Sequence, residues 1–123
     1  MEKIIMLGTG AGSAIKFYNA CFALKQGEEY MLVDGGGGIN ILEQLRRANI
    51  PVTSIKNVFV THNHIDHIIG IIWVLRKVTI LMRDNKYNDE INIYASDVTI
   101  DAIRTISKLV LSSKQFKRSE EHT

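Results

Sequence analysis

The chain has 123 residues, of which 46% are apolar and 23% charged, an ordinary globular balance that fits one domain. Its 15 basic and 13 acidic side chains leave a net charge of +2, too mild to argue for a nucleic-acid partner. Cys21 is the only cysteine, which excludes an internal disulfide and makes a reduced, cytoplasmic setting the expectation. MEKIIMLGTG carries no signal-peptide pattern, and no apolar run reaches the length of a membrane span, so no membrane role is expected.

KIIMLG (3–8) reads as a short buried strand, and GTGAGS as a loop. ACFALKQ (20–26) and EYMLVD (29–34) flank a turn at Gly27 and Glu28, which predicts a hairpin. GGGG (35–38) breaks the chain. After it, Ile39, Leu42 and Leu45 fall at helical spacing among Glu43, Gln44, Arg46 and Arg47. Asn49, with Pro51 just beyond, marks the helix stop.

NVFVT (57–61) is another buried strand, and HIIGIIWVLRK (67–77) a buried helix that puts Ile72 and Trp73 in the core. RDNKYNDE (83–90) is a polar loop and INIYAS (91–96) a strand. Ser96 is a good N-cap, with Asp97 in the first turn of a helix that places Ile103, Ile106 and Val110 on one face. The polar tail from about residue 114 is expected to fray. The order predicts a single α/β domain over 1–123, a mixed sheet with helices packed on one face.

Between the strand at 57–61 and the helix from 67 stands THNHIDH, with three of the chain's four histidines. In extended backbone, residues two apart point the same way, so His62 and His64 can aim two imidazoles at one point. Asp66 follows them if the chain stays extended, and His67 projects from the next helix. Imidazole nitrogen and carboxylate oxygen are ligands that suit zinc, and also iron or manganese. A polar loop with surface histidines is the bland alternative, but H-x-H-x-D-H spacing between two buried elements favours metal binding.

VFVTHNHIDHIIGI resembles the signature of the metallo-β-lactamase-fold hydrolases. IIMLGTGAGS resembles the opening strand and glycine loop of their ribonuclease Z-like branch. YMLVDGGGG resembles the strand that ends in Asp-Cys/Gly-Gly before the first helix, and INIYAS the strand that follows later. The likeness runs from residue 3 to about 110.

The resemblance implies a four-layer αββα sandwich of two similar halves, with two zinc ions (manganese or iron as alternatives) at the edge between the sheets. By position, His62 and His64 match the ligands of one ion, and Asp66 and His67 those of the other. Asp66 also matches the proton acceptor. The implied reaction is hydrolysis of an ester bond by a metal-bound hydroxide. A phosphodiester, small or nucleic-acid, stands first as substrate, with lactones, thioesters and aryl sulfates behind it. Family members continue into a second half that supplies further histidines and a bridging aspartate, whereas here the only histidine after residue 67 is His122. The chain therefore resembles the N-terminal half of such an enzyme. On its own it is expected to be inactive, to hold little metal, and either to self-associate through an uncovered sheet face or to be missing a C-terminal half. A different class, a half-domain serving as an assembly or interaction unit, is the alternative expectation.

Other residues carry weaker signals. Gly8, Gly10 and Gly12 after a strand suggest a dinucleotide fingerprint, but Ser13 stands where the third small residue belongs, and the family reading makes the loop a wall of the site. Asp34 is expected to orient a ligand histidine or the neighbouring loop rather than only end its strand. Gly35 to Gly38 read as a turn more than as an anion cradle. Cys21 reads as a buried apolar residue, and Lys114, Lys117 and Arg118 as a solvated end. Ile65 is expected to anchor the motif inward, with Ile68 and Ile69 pinning the helix beneath it.

Overall fold

The computed structural model describes residues 3–10, 20–61, 64–112 and 114, and of residues 65 and 66 the backbone alone. The element order is β1 (Lys3–Gly8), β2 (Cys21–Gln26), β3 (Glu29–Val33), α1 (Asn40–Arg47), a 3-10 turn (Val52–Ser54), β4 (Ile55–Phe59), α2 (Ile65–Arg83), β5 (Asn92–Tyr94) and α3 (Asp97–Val110). One five-stranded sheet runs β1-β2-β3-β4-β5. The first two pairings are antiparallel and the last two parallel. The mixed α/β sheet is thus as expected. Gly27, at φ 63°, opens the two-residue hairpin loop between β2 and β3. Parallel pairing needs crossover helices, and α1 and α2 supply them.

Register decides which side chains share a face. Ala23, Leu32 and Val58 are direct cross-strand partners, and all three are buried. They join Ile41 and Leu45 of α1, Ile68, Ile71, Val74 and Val78 of α2, and Ile103 of α3 in one cluster. All three helices therefore cover the same side of the sheet. Each of the leucine, isoleucine and valine side chains stabilises the fold by about 1.5–3 kcal/mol relative to leaving it in water. The opposite face carries Ile4, Met6, Phe59 and Tyr94, all exposed, with Ile4 at 68%. Met6 pairs with Phe22, Phe22 with Val33, Val33 with Phe59 and Phe59 with Tyr94, so this apolar row crosses the whole sheet.

Several boundaries move. The strand expected at 57–61 spans Ile55–Phe59 because buried Ile55 already pairs with Tyr30. The helix expected at 67–77 runs Ile65–Arg83. The β-branched run Val78, Thr79, Ile80 weakens helix propensity, but Val78 and Thr79 are buried, and Thr79 Oγ1 donates to the Arg76 carbonyl at 2.8 Å. Both α1 and α2 end on a left-handed asparagine. Asn49 (φ 58°) donates to Arg46 O while Ile50 donates to Leu45 O; Asn85 (φ 59°) donates to Met82 O while Lys86 donates to Leu81 O. Both are Schellman caps, which satisfy carbonyls the helix leaves over.

Ser96 caps α3 by accepting from Thr99 N at 3.3 Å, as its position suggested. The buried stripe of α3 passes through Thr99, Ile103 and Ser107 to Leu111, while Ile106 packs at its flank. Val110 is 63% exposed at the helix end, which corrects its expected place on the buried face. Cys21, Ile68 and Ile72 are buried, and Ile69 and Trp73 pack partly buried against the core. No described helix is long and apolar enough to cross a membrane. The expected fraying of the tail and the glycine-loop wall at Gly12 and Ser13 lie outside the described residues, as do Lys117, Arg118 and His122.

Candidate metal centre

Parallel strands β3 and β4 end side by side, and their carboxyl ends face the start of α2. Open sheets place ligands in this kind of crevice. Asp34 leaves β3 with φ 60° and is 5% exposed. Its backbone N–H donates to Phe59 O at 2.8 Å, which ties it to the end of β4. Its carboxylate accepts three hydrogen bonds: Thr61 N to Oδ1, and Thr61 Oγ1 and His67 Nδ1 to Oδ2, each at 2.8 Å. A left-handed aspartate is costly, and here those bonds hold it.

A carboxylate can only accept, so the Nδ1 of a neutral His67 carries the ring proton and Nε2 carries the lone pair. Ligand histidines almost always have this partner arrangement, in which one nitrogen donates to a carboxylate and the other meets the metal. Asp34 thus does what was expected of it and orients His67. Thr61, which the sequence reading passed over, is the second group on the same carboxylate.

His64 is the N-cap of α2, with φ −71° and ψ 151°, and is exposed. Its carbonyl accepts from His67 N at 2.9 Å and Ile68 N at 3.2 Å. The backbone is therefore extended at His64 itself and helical from the next residue on. Asp66 lies in the first turn of the helix, so the idea that it continues an extended strand is corrected. Helix sets in at Ile65 because Ile65, Ile68, Ile69 and Ile72 repeat at helical spacing. His62 lies outside the described residues, as do the side chains of Ile65 and Asp66, whose inward and ligating roles are expectations on that account. Among the described residues no three His, Cys, Asp or Glu side chains gather as a metal-holding group.

The positive end of α2 faces the crevice and favours an anion there. Close by, Cys21 is buried, and burial first, then the Asp34 charge, pushes its thiol up to about 12. It is a packing residue, not a nucleophile. A cavity of about 490 Å³ lined by Ile4, Leu24, Tyr30 and Met31 lies at the other end of β3, away from Asp34.

The family model described as Anti-Pycsar protein Apyc1 matches residues 2–118. Ribonuclease Z of Methanococcus aeolicus is 34% identical over 116 residues, which cover 94% of this chain and 34% of the relative. The chain thus spans about a third of the length of that curated relative. Human tRNase Z, short form, superposes with a TM-score of 0.72 at 25% identity, over 89% of this chain and 39% of that one. The metallo-β-lactamase fold protein YhfI from Bacillus subtilis superposes at 0.70 and 23% identity, over 85% of this chain and 42% of that one. A carboxylate-held histidine at the ends of two parallel strands, on a fold shared with these proteins and under a family match of nearly full length, leads to one assignment: the chain belongs to the Anti-Pycsar protein Apyc1 family, a ribonuclease Z-like group of the metallo-β-lactamase hydrolase fold.

Proposed function

We propose that these residues form one side of a metal-dependent phosphodiesterase whose complete site includes groups beyond this chain. The observation that carries the reading is the Asp34–His67 hydrogen bond, because it presents an imidazole lone pair in the manner of a metal ligand. The donor set fits a divalent cation: His62, His64, Asp66 and His67 offer nitrogen and oxygen atoms suited to zinc, with manganese or iron as alternatives. Such ions, when bound, supply positive charge that stabilises the charge developing on phosphoryl oxygens and make water a better nucleophile.

The chain's own residues do the rest. Asp34 fixes the tautomer and direction of His67. The first turn of α2 lends its positive end to an anionic phosphoryl group. Asp66, in that turn, is proposed as the proton acceptor. A phosphodiester is favoured over lactone, thioester or aryl sulfate because the relatives include ribonucleases by name. A reduced, cytoplasmic setting accords with the single buried thiol.

The test is complementation. The chain is mixed with, or fused to, the remainder of a ribonuclease Z relative and assayed on bis-p-nitrophenyl phosphate and an aryl lactone with zinc or manganese. Phosphodiester cleavage that is lost in His64→Ala supports the proposal. Lactone cleavage alone sinks the substrate class, and no hydrolysis of either sinks the enzyme reading. The exposed row of Met6, Phe59 and Tyr94 favours a second reading, in which the chain acts as an assembly unit and buries this face on another polypeptide. A monomeric mass at micromolar concentration in sedimentation velocity, with no apolar dye binding, would refute it.

A further inference from the structure

Two backbones touch beneath the candidate site. Gly35 N donates to the His67 carbonyl at 2.9 Å, and Gly70 N donates to the Gly36 carbonyl at 2.8 Å. The loop after β3 and the start of α2 are thereby stapled to each other at two peptides. No side chain fits between them. A Cβ on Gly70 would overlap the carbonyl carbon and oxygen of Gly35, and one on Gly35 would lie 2.5 Å from Ile71 N and 2.8 Å from Gly70 C. Gly36 takes φ 70°, which an L side chain rarely adopts. By contrast, a Cβ on Gly38 meets nothing within 4 Å. The requirement for bare backbone therefore belongs to the contact and not to the glycine run as a whole.

The contact sits between the two partners of the site. Asp34 directly precedes Gly35, and His67 is both the acceptor of the Gly35 N–H and three residues before Gly70. The Oδ2···Nδ1 distance of 2.8 Å is then set by how closely the two backbones approach. We propose that Gly70 is a positioning residue: its missing side chain lets α2 sit against Gly35, and that seating makes the Asp34–His67 hydrogen bond and so fixes which His67 nitrogen carries the lone pair. This deepens the reading of His67 as a ligand and rests on it for its functional meaning.

A methyl group at Gly70 would push the helix start from the loop. Pure overpacking would lower stability and leave the ring tautomer alone, whereas the positioning role changes the tautomer.

The experiment uses proton–nitrogen NMR of the imidazole signals in the full 123-residue chain, so its readout is independent of hydrolysis. The wild type should show a hydrogen-bonded Nδ1–H for His67. Gly70→Ala should lose it, with the ring proton redistributed to Nε2, and Gly38→Ala should keep it. An unchanged Nδ1–H in Gly70→Ala, or equal loss in Gly38→Ala, overturns the proposal. If Gly70→Ala does not fold, amide exchange in the wild type decides. The Gly35 and Gly70 amides should then be protected like the β3–β4 ladder amides of Leu32 and Val58, and exchange at exposed-loop rates overturns the clamp. Failure of the complementation assay would remove the enzyme reading but would leave this result standing.

Discussion

Replacing Asp34 with alanine removes one buried carboxylate that accepts from Thr61 N, Thr61 Oγ1 and His67 Nδ1. Hydrogen bonds to charged groups contribute about 1.5–3 kcal/mol each, but Thr61 is exposed, so water takes over most of what its two bonds supply. The bond to half-buried His67 is the larger loss, about 2 kcal/mol, with about 1 kcal/mol for the Thr61 pair. Alanine must also hold the φ of 60°, where it lacks aspartate's tolerance, at a further cost of about 1 kcal/mol. The expected destabilisation is about 3–4 kcal/mol, a large share of the ~5–15 kcal/mol that a domain has in all.

Two companions separate these terms. Asp34→Gly loses the same bonds without the backbone cost and should sit about 1 kcal/mol above alanine. Asp34→Asn keeps an acceptor for Thr61 N but turns an NH₂ toward His67 Nδ1. The neutral imidazole then accepts at Nδ1 and moves its proton to Nε2, which removes the lone pair a cation would need. Its stability loss should be only about 1–2 kcal/mol. Urea unfolding followed by circular dichroism measures the energies, and imidazole nitrogen shifts report the tautomer. If Asp34→Ala lies within 1 kcal/mol of wild type, or Asp34→Asn leaves the proton on Nδ1, the account of this carboxylate is wrong.

The Cys21 thiol should resist Ellman's reagent in the folded chain at pH 8 to 9, because burial raises it from 9.0 to about 12. Since the folded pKa is the higher one, this group's contribution to stability is full below pH 9 and is lost as pH rises toward 12, so Cys21→Ala should flatten the alkaline limb of the stability curve. Asn49→Ala forces a left-handed alanine into the α1 cap and should cost about 1 kcal/mol, whereas Asn49→Gly should cost little; chemical denaturation that finds the two equal would refute the cap argument. Tyr87 OH donates to the Ile55 carbonyl at 2.6 Å in a buried setting, so Tyr87→Phe should lower stability by about 1–2 kcal/mol, and no change in urea midpoint would show the bond to be incidental.

The parts of the fold legible in the sequence were those carried by short periods. β1, β2 and β3 fall where apolar runs met turn residues, and Gly27 supplies the positive φ the hairpin loop takes, but β1 is not the buried strand expected, since Ile4 and Met6 lie on the open face. The Asn49 stop was readable for the same reason, and its twin at Asn85 was not, because the reading had already ended α2 at Lys77. Burial of Val78 and Thr79 carries that helix another turn and more, and burial is a property of the neighbours rather than of the residues. Val110 is the converse case. It has the right period, but the stripe leaves it for Leu111.

The site divides along the same line. His64 and His67 could be named as candidates because the histidine spacing is local. The contacts that give His67 its chemical character are not local. Asp34 lies 33 residues away from it, and the bond exists because parallel pairing of β3 with β4 brings the two strand ends together. Gly70 carried a signal that was available and unused: a lone glycine inside the apolar run 68–75 of a helix asks what comes close to it. The answer is the peptide that follows Asp34. A sequence pattern can thus name donors along one segment, but it cannot say which donor nitrogen holds the proton. That is decided where two distant backbones meet without side chains between them.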